Sequence, residues 1–140
     1  MAKPIFSEEE LMTCLERRWA EEGRFLSAEQ MGYYMQFRLW KAPEDQAYVV
    51  LLNRSRYFIR SIQLTEGMLH RVNLLSDVLQ DRLAEASYFF VGHTHGAHST
   101  EPSPEDIYTT QILSARFREK PFFLGQVIVN HQMDFTFLQP

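Results

Sequence analysis

One stretch decides the fold, Tyr88-Phe89-Phe90-Val91-Gly92-His93-Thr94-His95, an apolar run that ends in two histidines. A continuous apolar run is typical of a central strand that is covered on both faces. Residues two apart on a strand project to the same side, so His93 and His95 face one way at the strand's polar end. The stretch therefore predicts a buried strand that delivers two imidazoles to one site.

After His95 and seven further residues the chain reads Ser103-Pro104-Glu105-Asp106, which offers a carboxylate. Two neutral imidazoles and one carboxylate form a three-ligand set for zinc with a fourth position left open. An open position suits hydrolysis, because a divalent ion activates water near neutral pH. Such a set also suits iron or manganese, so the identity of the metal stays open.

The same tetrapeptide is also typical of a helix start. Ser103 can be the N-cap, Pro104 the first helical residue and Asp106 an acid in the first turn. Capping alone explains these residue types, and so does metal ligation. The combination with His93 and His95 favours a metal site.

A His-x-His strand end, a short loop and Ser-x-x-Asp at a helix start together resemble the signature of JAB/MPN metalloprotease domains, also called JAMM domains. Within that superfamily the chain most resembles the RadC-like branch. Further matching segments follow in the same order along the chain: 49–54, 64–69 with Gly67, and 126–129. The resemblance covers residues 43–139. It implies an α/β (α+β) domain with a mixed β-sheet flanked by helices, of the JAB/MPN, cytidine-deaminase-like type.

The resemblance also implies which residues form the site. His93, His95 and Asp106 match the family's zinc ligands, with one zinc ion per chain. Ser103 matches the serine that hydrogen-bonds the oxygen on which negative charge develops in the transition state, where one donor is worth ~3 kcal/mol. The implied reaction is hydrolysis of a peptide or isopeptide bond by a metal-activated water.

The family's general base, which then acts as an acid, is a glutamate before an early strand. Counting back from Asn53 places Asp45 at that position, with Glu44 beside it. Aspartate is one methylene shorter, and a base must come within ~3 Å of the proton that it removes. Neighbours on an extended backbone point to opposite faces, so only one of the two can face the metal, and a bulge could turn Glu44 inward. Glu44 and Asp45 are both candidate bases, and a solvated loop after Pro43 is the alternative.

The chain departs from the family pattern on both sides of the ligands. Gly96-Ala97-His98 stands where RadC-like proteins have Pro-Ser-Gly. His98 can be a polar contact near the metal, a group that supports a ligand, or an ordinary loop residue. Downstream, Gly125-Gln126 replaces the family's Asp-His, which removes two polar groups that could support the site. These departures predict altered substrate preference or a weakened site.

Composition predicts one globular domain. The chain has 140 residues, of which 45% are hydrophobic and 23% charged. It contains no apolar run of about 18 residues and no signal peptide, so we expect a cytoplasmic protein without a membrane segment. The single cysteine, Cys14, excludes an internal disulfide and suits the reducing cytoplasm.

The charge balance bears on nucleic acid as a partner. The formal net charge is −4, whereas proteins that depend on phosphate contacts usually carry a basic face. A strand would place Arg54, Arg56 and Arg60 on one side, and a solvated strand face is the simpler explanation for them. We therefore expect a protein or peptide substrate and no nucleic acid; the oligomeric state is not indicated.

Local patterns predict the order of elements. Two capping-box patterns indicate helices near 8–20 and 28–39, in an N-terminal helical segment, 1–42, packed on a single domain, 43–140. The remaining elements are strands at 46–53 and 56–63 joined by a hairpin turn over 53–56, a helix at 77–86, a strand at 88–93 and a helix at 104–118. Strands at 123–129 and 133–138 then form a last hairpin across 131–132. This order indicates a mixed sheet between helices.

Three functional hypotheses follow. The first is a zinc-dependent hydrolase of amide bonds, in which Glu44 or Asp45 moves the proton and Ser103 stabilises the oxyanion. The second is a metal-binding interaction module of the same family with weak or no catalysis. The third is a DNA-associated RadC-like factor. This hypothesis rests on the family resemblance and on Arg54, Arg56 and Arg60, which are called the arginine group below.

Overall fold

The computed structural model describes residues 23–71, 82 and 84–140. The helix expected at 8–20, Cys14 and most of the helix expected at 77–86 lie outside these residues. The division of the chain at residue 42 stays a prediction.

In the described part of the chain, five strands form one mixed sheet. Their bounds are β1 Gln46–Leu52, β2 Phe58–Thr65, β3 Tyr88–Thr94, β4 Phe122–Val129 and β5 Phe135–Leu138. The strand order is β2-β1-β3-β4-β5, in which β3 and β4 are parallel and the other neighbours are antiparallel. The expected mixed sheet flanked by helices is confirmed, and the apolar strand β3 lies at its centre.

Three helices are described: α1 Ala28–Leu39, α2 Glu66–His70 and α3 Pro104–Arg116. α1 begins at the Ser27 capping box that its sequence predicted, and α3 begins at the Ser103 capping box. The short α2, with Thr65 as its N-cap, was not predicted. None of the described helices is long and apolar enough to cross a membrane.

α1 packs on one face of the sheet over an aromatic core. Phe25 and Tyr34 meet edge to face with ring centres 5.6 Å apart, and Tyr34 meets Phe90 of β3 in the same way. A Cβ added at Gly92 would lie 2.5 Å from Met35 Sδ, so this glycine lets α1 approach β3. The buried apolar residues of this layer are Phe25, Met31, Tyr34, Met35, Leu39, Ala42, Tyr48, Val50, Leu52, Phe58, Phe90, Val127 and Val129.

α2 and α3 lie on the opposite face. Its buried apolar residues are Ala47, Val49, Leu51, Ile62, Leu64, Leu69, Ala86, Phe89, Val91, Leu113 and Phe123. Along β3 this layer runs through Phe89 and Val91, and the next residue on the same face is His93. The core therefore changes from apolar to polar where β3 meets the N-terminus of α3.

The arginine group does not form one strand face. Arg54 and Arg56 lie in the turn between β1 and β2, where the hairpin turn predicted over 53–56 places them, so the alternative in which a strand aligns them with Arg60 is wrong. Arg60 lies in β2, and its Nη2 is 2.6 Å from Glu85 Oε2. The first two arginines lie outside the strands because the turn extends to Tyr57, whose N–H donates a hydrogen bond to the Asn53 side chain.

Candidate metal centre

β3 and its two neighbours position the histidine pair. His93 lies opposite Ala47 of β1 and Ile128 of β4, so both flanking strands hold it. His95 follows the end of β3, and its N–H donates to Val129 O at 2.8 Å. Backbone hydrogen bonds to the neighbouring strands therefore hold the end of the central strand, independently of the contacts that its side chains make.

The N-terminus of α3 positions the carboxylate. Ser103 Oγ accepts a hydrogen bond from Asp106 N at 3.1 Å, and Ser103 N donates to Asp106 Oδ2 at 2.9 Å. This reciprocal pair is a capping box. The helix-start interpretation and the ligand interpretation are thus compatible, because the cap is what turns the Asp106 carboxylate toward β3.

The two histidines predicted from the sequence lie on either side of Asp106. His93 Nε2 is 3.1 Å from Asp106 Oδ1, and His95 Nε2 is 3.1 Å from Oδ2. His93 and Asp106 are fully buried. Among the described residues, neither ring nitrogen of His93 nor Asp106 Oδ1 has a hydrogen-bond partner. Buried polar atoms without partners are costly, so this group calls for a cation.

The hydrogen bond on the far side of His95 also points to a cation. His95 Nδ1 is 2.7 Å from Ser99 O, and a carbonyl only accepts, so Nδ1 carries the proton. In the neutral ring the lone pair on Nε2 then faces a carboxylate oxygen. Two electron-rich atoms at this distance repel each other unless a cation lies between them, and a bond that holds the tautomer is typical of metal-ligating histidine. These residues fit a divalent metal.

Asp106 is held in its ionised form. Burial by itself raises the pKa of Asp106, but contact with His93, the Ser103 N–H and nearby His95 outweigh it. The net result is that the pKa of this carboxyl lies well below its usual range. Asp106 is therefore available as an anionic ligand at neutral pH.

Two further donors, Glu66 and His70 of α2, reach the same carboxylate. His70 Nε2 is 3.3 Å from Asp106 Oδ1 and 3.3 Å from Glu66 Oε1, and His93 Nε2 is 3.9 Å from Glu66 Oε1. Donor atoms of Glu66, His70, His93 and Asp106 all lie within 4.8 Å of one another. Ligands on a tetrahedral zinc lie roughly 3.3 Å apart, given metal–ligand lengths of about 2.0–2.1 Å. The group can hold a metal ion.

Sequence reasoning missed Glu66 and His70, although a signal was present. Thr65 is a typical N-cap, and Glu66 and His70 are four residues apart, which places them on one side of a helical turn. His70 Nδ1 is 2.7 Å from Thr109 Oγ1, so α3 orients this ring. No local pattern, however, indicates that α2 lies against Asp106.

Of the two candidate bases, Glu44 lies beside the loop that follows His95, and Asp45 lies beside the start of α2. Glu44 is 61% exposed on its side chain, and its Oε1 is 3.7 Å from His98 Nε2. It covers Gly96, which has φ of 63° and where a Cβ would collide with Glu44 Cγ. Asp45 is exposed and accepts Glu66 N on its backbone oxygen at 2.6 Å. In the described part of the chain, the acid within 4 Å of a predicted histidine ligand, besides Asp106, is Glu66; the roles of Glu44 and Asp45 stay predictions.

His98 belongs to this exposed loop. Its side chain is 76% exposed, and its backbone oxygen accepts from Asn130 Nδ2 at 3.1 Å. Of the three roles left open for His98, these contacts fit a loop residue that lies near Glu44.

Gln126 supports the helix that carries Asp106, so one of the two positions at which the family's Asp-His pair is replaced still supplies a polar contact. Gln126 is fully buried, and its Nε2 donates to Asp106 O at 2.9 Å and to Thr110 Oγ1 at 2.8 Å. The amide thus links β4 to the first turns of α3. The sequence shows that the Asp-His pair is replaced, but it does not show which element the replacement contacts.

A groove of about 510 Å³ opens beside His70. Its walls include Gly67 of α2 and Pro104, Tyr108 and Thr109 of α3. Tyr108 is 59% exposed, so the groove has an aromatic wall that is open to solvent. A ligand seated there would reach the histidine cluster past His70.

Comparison with protein-family models places these features in a known family. Residues 25–121 match the RadC-like JAB domain, which is more than half of the chain. The matched region includes the three described helices, the strands β1, β2 and β3, and all of the histidine and carboxylate donors described above. The mixed five-stranded sheet and its flanking helices agree with that fold. The chain therefore belongs to the family of RadC-like JAB domains.

Proposed function

We propose that this protein is a zinc-dependent hydrolase that cleaves peptide or isopeptide bonds. The observation that carries the proposal is the buried donor group in which His93 and His95 face the two oxygens of Asp106. A group this well buried, with unpartnered atoms, is expensive to maintain for stability alone. Its cost is explained when it serves a bound metal and the chemistry of that metal.

His93, His95 and Asp106 would hold the ion. A divalent ion bound there supplies Lewis acidity toward a carbonyl and activates water. The protein keeps His95 in the ligating tautomer through Ser99 O and keeps Asp106 aimed through Ser103 N. In both contacts the supporting partner is a backbone atom, so replacing a side chain does not remove that partner directly.

Ser103 is the candidate donor to the developing oxyanion. Its Oγ accepts from Asp106 N, which uses a lone pair and leaves the hydroxyl proton free to be donated. The residue is only partly buried, so a substrate oxygen can reach it. One hydrogen-bond donor in such a position lowers the barrier by ~3 kcal/mol.

The proton would be carried by Glu44 or Asp45. Both residues are exposed, so each side chain has the freedom to turn toward a substrate. Glu44→Gln and Asp45→Asn remove the base without changing side-chain size. If neither lowers hydrolysis, the proposed base is wrong.

The groove beside His70 is the candidate position for a substrate side chain. Pro104 and Tyr108 give it apolar walls, which favours an apolar or aromatic residue of a peptide.

The proposal is tested first by metal content and then by hydrolysis. Tag-free wild type and His95→Ala are compared by mass spectrometry for bound zinc, and zinc that is present in the wild type and reduced in the variant is expected. Fluorogenic peptides and isopeptide-linked substrates are then screened with both proteins. Absence of metal after zinc is supplied, or metal without hydrolysis of any amide substrate, would contradict the hydrolase.

A metal-binding interaction module is the alternative with a specific observation behind it. Glu44 and Asp45 are exposed and the described acid nearest the ligands is Glu66, so a base in the family's usual place is not evident. Such a module retains zinc, lacks hydrolysis and is indifferent to Glu44→Gln and Asp45→Asn. A DNA-associated role has less support, because Arg60 pairs with Glu85 and the net charge is −4; salt-sensitive binding to single- or double-stranded DNA would restore it.

A further inference from the structure

We propose that Asp106 bridges two cation positions, one between His93 and His95 and a second formed with Glu66 and His70 of α2. The proposal rests on the proposed metal site of His93 and His95 and adds a second, separately removable ion. The second position would take a divalent cation that accepts mixed nitrogen and oxygen ligands, such as Zn²⁺ or Mn²⁺.

The two oxygens of Asp106 face different partners. Oδ2 faces His95 Nε2 and accepts from Ser103 N. Oδ1 lies 3.3 Å from His70 Nε2 and 3.1 Å from His93 Nε2, and it has no hydrogen bond from a described residue. A carboxylate oxygen has two lone pairs, so Oδ1 can face one ion beside His93 and another beside His70.

Glu66 and His70 supply the remaining ligands on the Oδ1 side. His70 Nε2 lies 3.3 Å from both Glu66 Oε1 and Asp106 Oδ1. One nitrogen facing two carboxylate oxygens needs either a proton on the ring or a cation among the three atoms. A single N–H cannot be aligned well with both oxygens, whereas one cation can be shared by all three donors.

The number of donors also exceeds what one zinc uses. Zinc in proteins is almost always four-coordinate, and a catalytic site keeps one position free of protein ligands. Five side chains converge on this centre: Glu66, His70, His93, His95 and Asp106. Divided between two ions that share Asp106, they form two sets of three ligands, each with open positions.

The second position is also accessible. The side chain of Glu66 is 34% exposed and that of His70 is 13% exposed, whereas His93 and Asp106 are fully buried. His70 also lines the 510 Å³ groove. An ion at the second position would therefore lie between the buried ligands and the groove, where it would contact whatever the groove binds.

The test counts metal ions in the full chain. Metal-free protein is titrated with Co²⁺, the visible absorbance is followed, and bound zinc is measured separately by mass spectrometry after removal of free ion. We expect about two equivalents in the wild type, one in His70→Ala and one in His95→Ala. Asp106→Asn should bind neither ion tightly, because the shared ligand is lost.

Two additional variants serve as controls for misfolding and for adventitious binding. His70→Gln, which keeps a polar side chain of similar length, should also leave one equivalent, and circular dichroism checks that both His70 variants are folded. His98→Ala removes an exposed histidine of the neighbouring loop and should still bind two, which excludes adventitious surface binding at His98.

One equivalent in the wild type, unchanged in both His70 variants, would overturn the second position and identify His70 as a hydrogen-bonding partner of the two carboxylates. That outcome leaves the proposed hydrolase intact. One equivalent that His70→Ala removes while His95→Ala retains it would also overturn the bridge, since a single ion would then occupy the α2 side. Two equivalents without amide hydrolysis would uphold the bridge and contradict the proposed reaction.

Discussion

The two faces of β3 carry different chemistry from alternate residues of one strand. Phe90 belongs to the aromatic layer under α1, and Gly92 allows that helix to approach. Phe89 and Val91 belong to an apolar layer on the other face. At the end of β3 this layer stops, and His93 belongs to a buried polar cluster instead. The difference indicates that the α1 face supplies packing stability, while the α2–α3 face gives up some packing to hold charged groups.

The first prediction tests the stability of the α1 face. Phe90→Ala should lower the free energy of unfolding by about 3–5 kcal/mol, because it leaves a cavity among Phe25, Tyr34 and the sheet. Urea denaturation measures the change, and Ile107→Ala, at a 45% exposed position, should stay within about 0.5 kcal/mol of wild type. Zinc bound per folded chain should not change; a loss of zinc in folded Phe90→Ala would show that the two faces are not independent.

The second prediction tests the polar face. Asp106→Asn should weaken zinc binding by more than about 100-fold. Loss of a residue that only supports a ligand costs about 10- to 100-fold, and this variant removes an anionic ligand itself. Competition with a chromophoric chelator measures the affinity. Glu105→Gln, an exposed neighbour on the same helical turn, is the matched control and should bind zinc as the wild type does. Equal losses of zinc affinity in both variants would show that the effect comes from the change in net charge and not from the loss of a ligand.

The third prediction concerns the loop that joins β3 to the polar face. Gly96→Ala should destabilise the fold by about 1–2 kcal/mol, because φ is 63° and the new Cβ collides with Glu44. The double variant Glu44→Ala/Gly96→Ala should recover the steric part and keep the backbone part. Thermal denaturation of the wild type, the two single variants and the double variant separates the two contributions, and full recovery would mean that backbone strain at Gly96 is negligible.

The smallest effect is expected at Gln126 of β4, which contacts the start of α3. Gln126→Leu should cost about 1 kcal/mol of stability through its lost hydrogen bonds to Asp106 O and Thr110 Oγ1. It should also weaken zinc binding by about 10-fold, since the start of α3 is held less firmly. Gln111→Leu, at an exposed position of the same helix, should change neither quantity. Unchanged affinity in Gln126→Leu would show that the Ser103 cap alone orients Asp106.

Prediction from sequence succeeded where the pattern is local. The strand at 88–93, the helix starting after Ser103 and the hairpin near residue 130 all lie close to their expected positions. Each depends on neighbours in sequence: an apolar run, a capping box and a turn between two strands. The turn over 53–56 was predicted in the same way, but β2 begins two residues later than expected, since the exact end of a hairpin turn depends on the register of β1 with β2.

By itself the sequence determined the sheet type, the family and the presence of two histidines and one aspartate in a ligand pattern. These features are encoded in spacings of a few residues, which alternation along a strand and capping of a helix translate directly into direction. Only the tertiary structure decided that Glu66 and His70 reach Asp106, that Gln126 supports α3 and that Glu44 covers Gly96. Those contacts join segments that are far apart along the chain, and strand register and helix packing, which no local pattern records, bring them together.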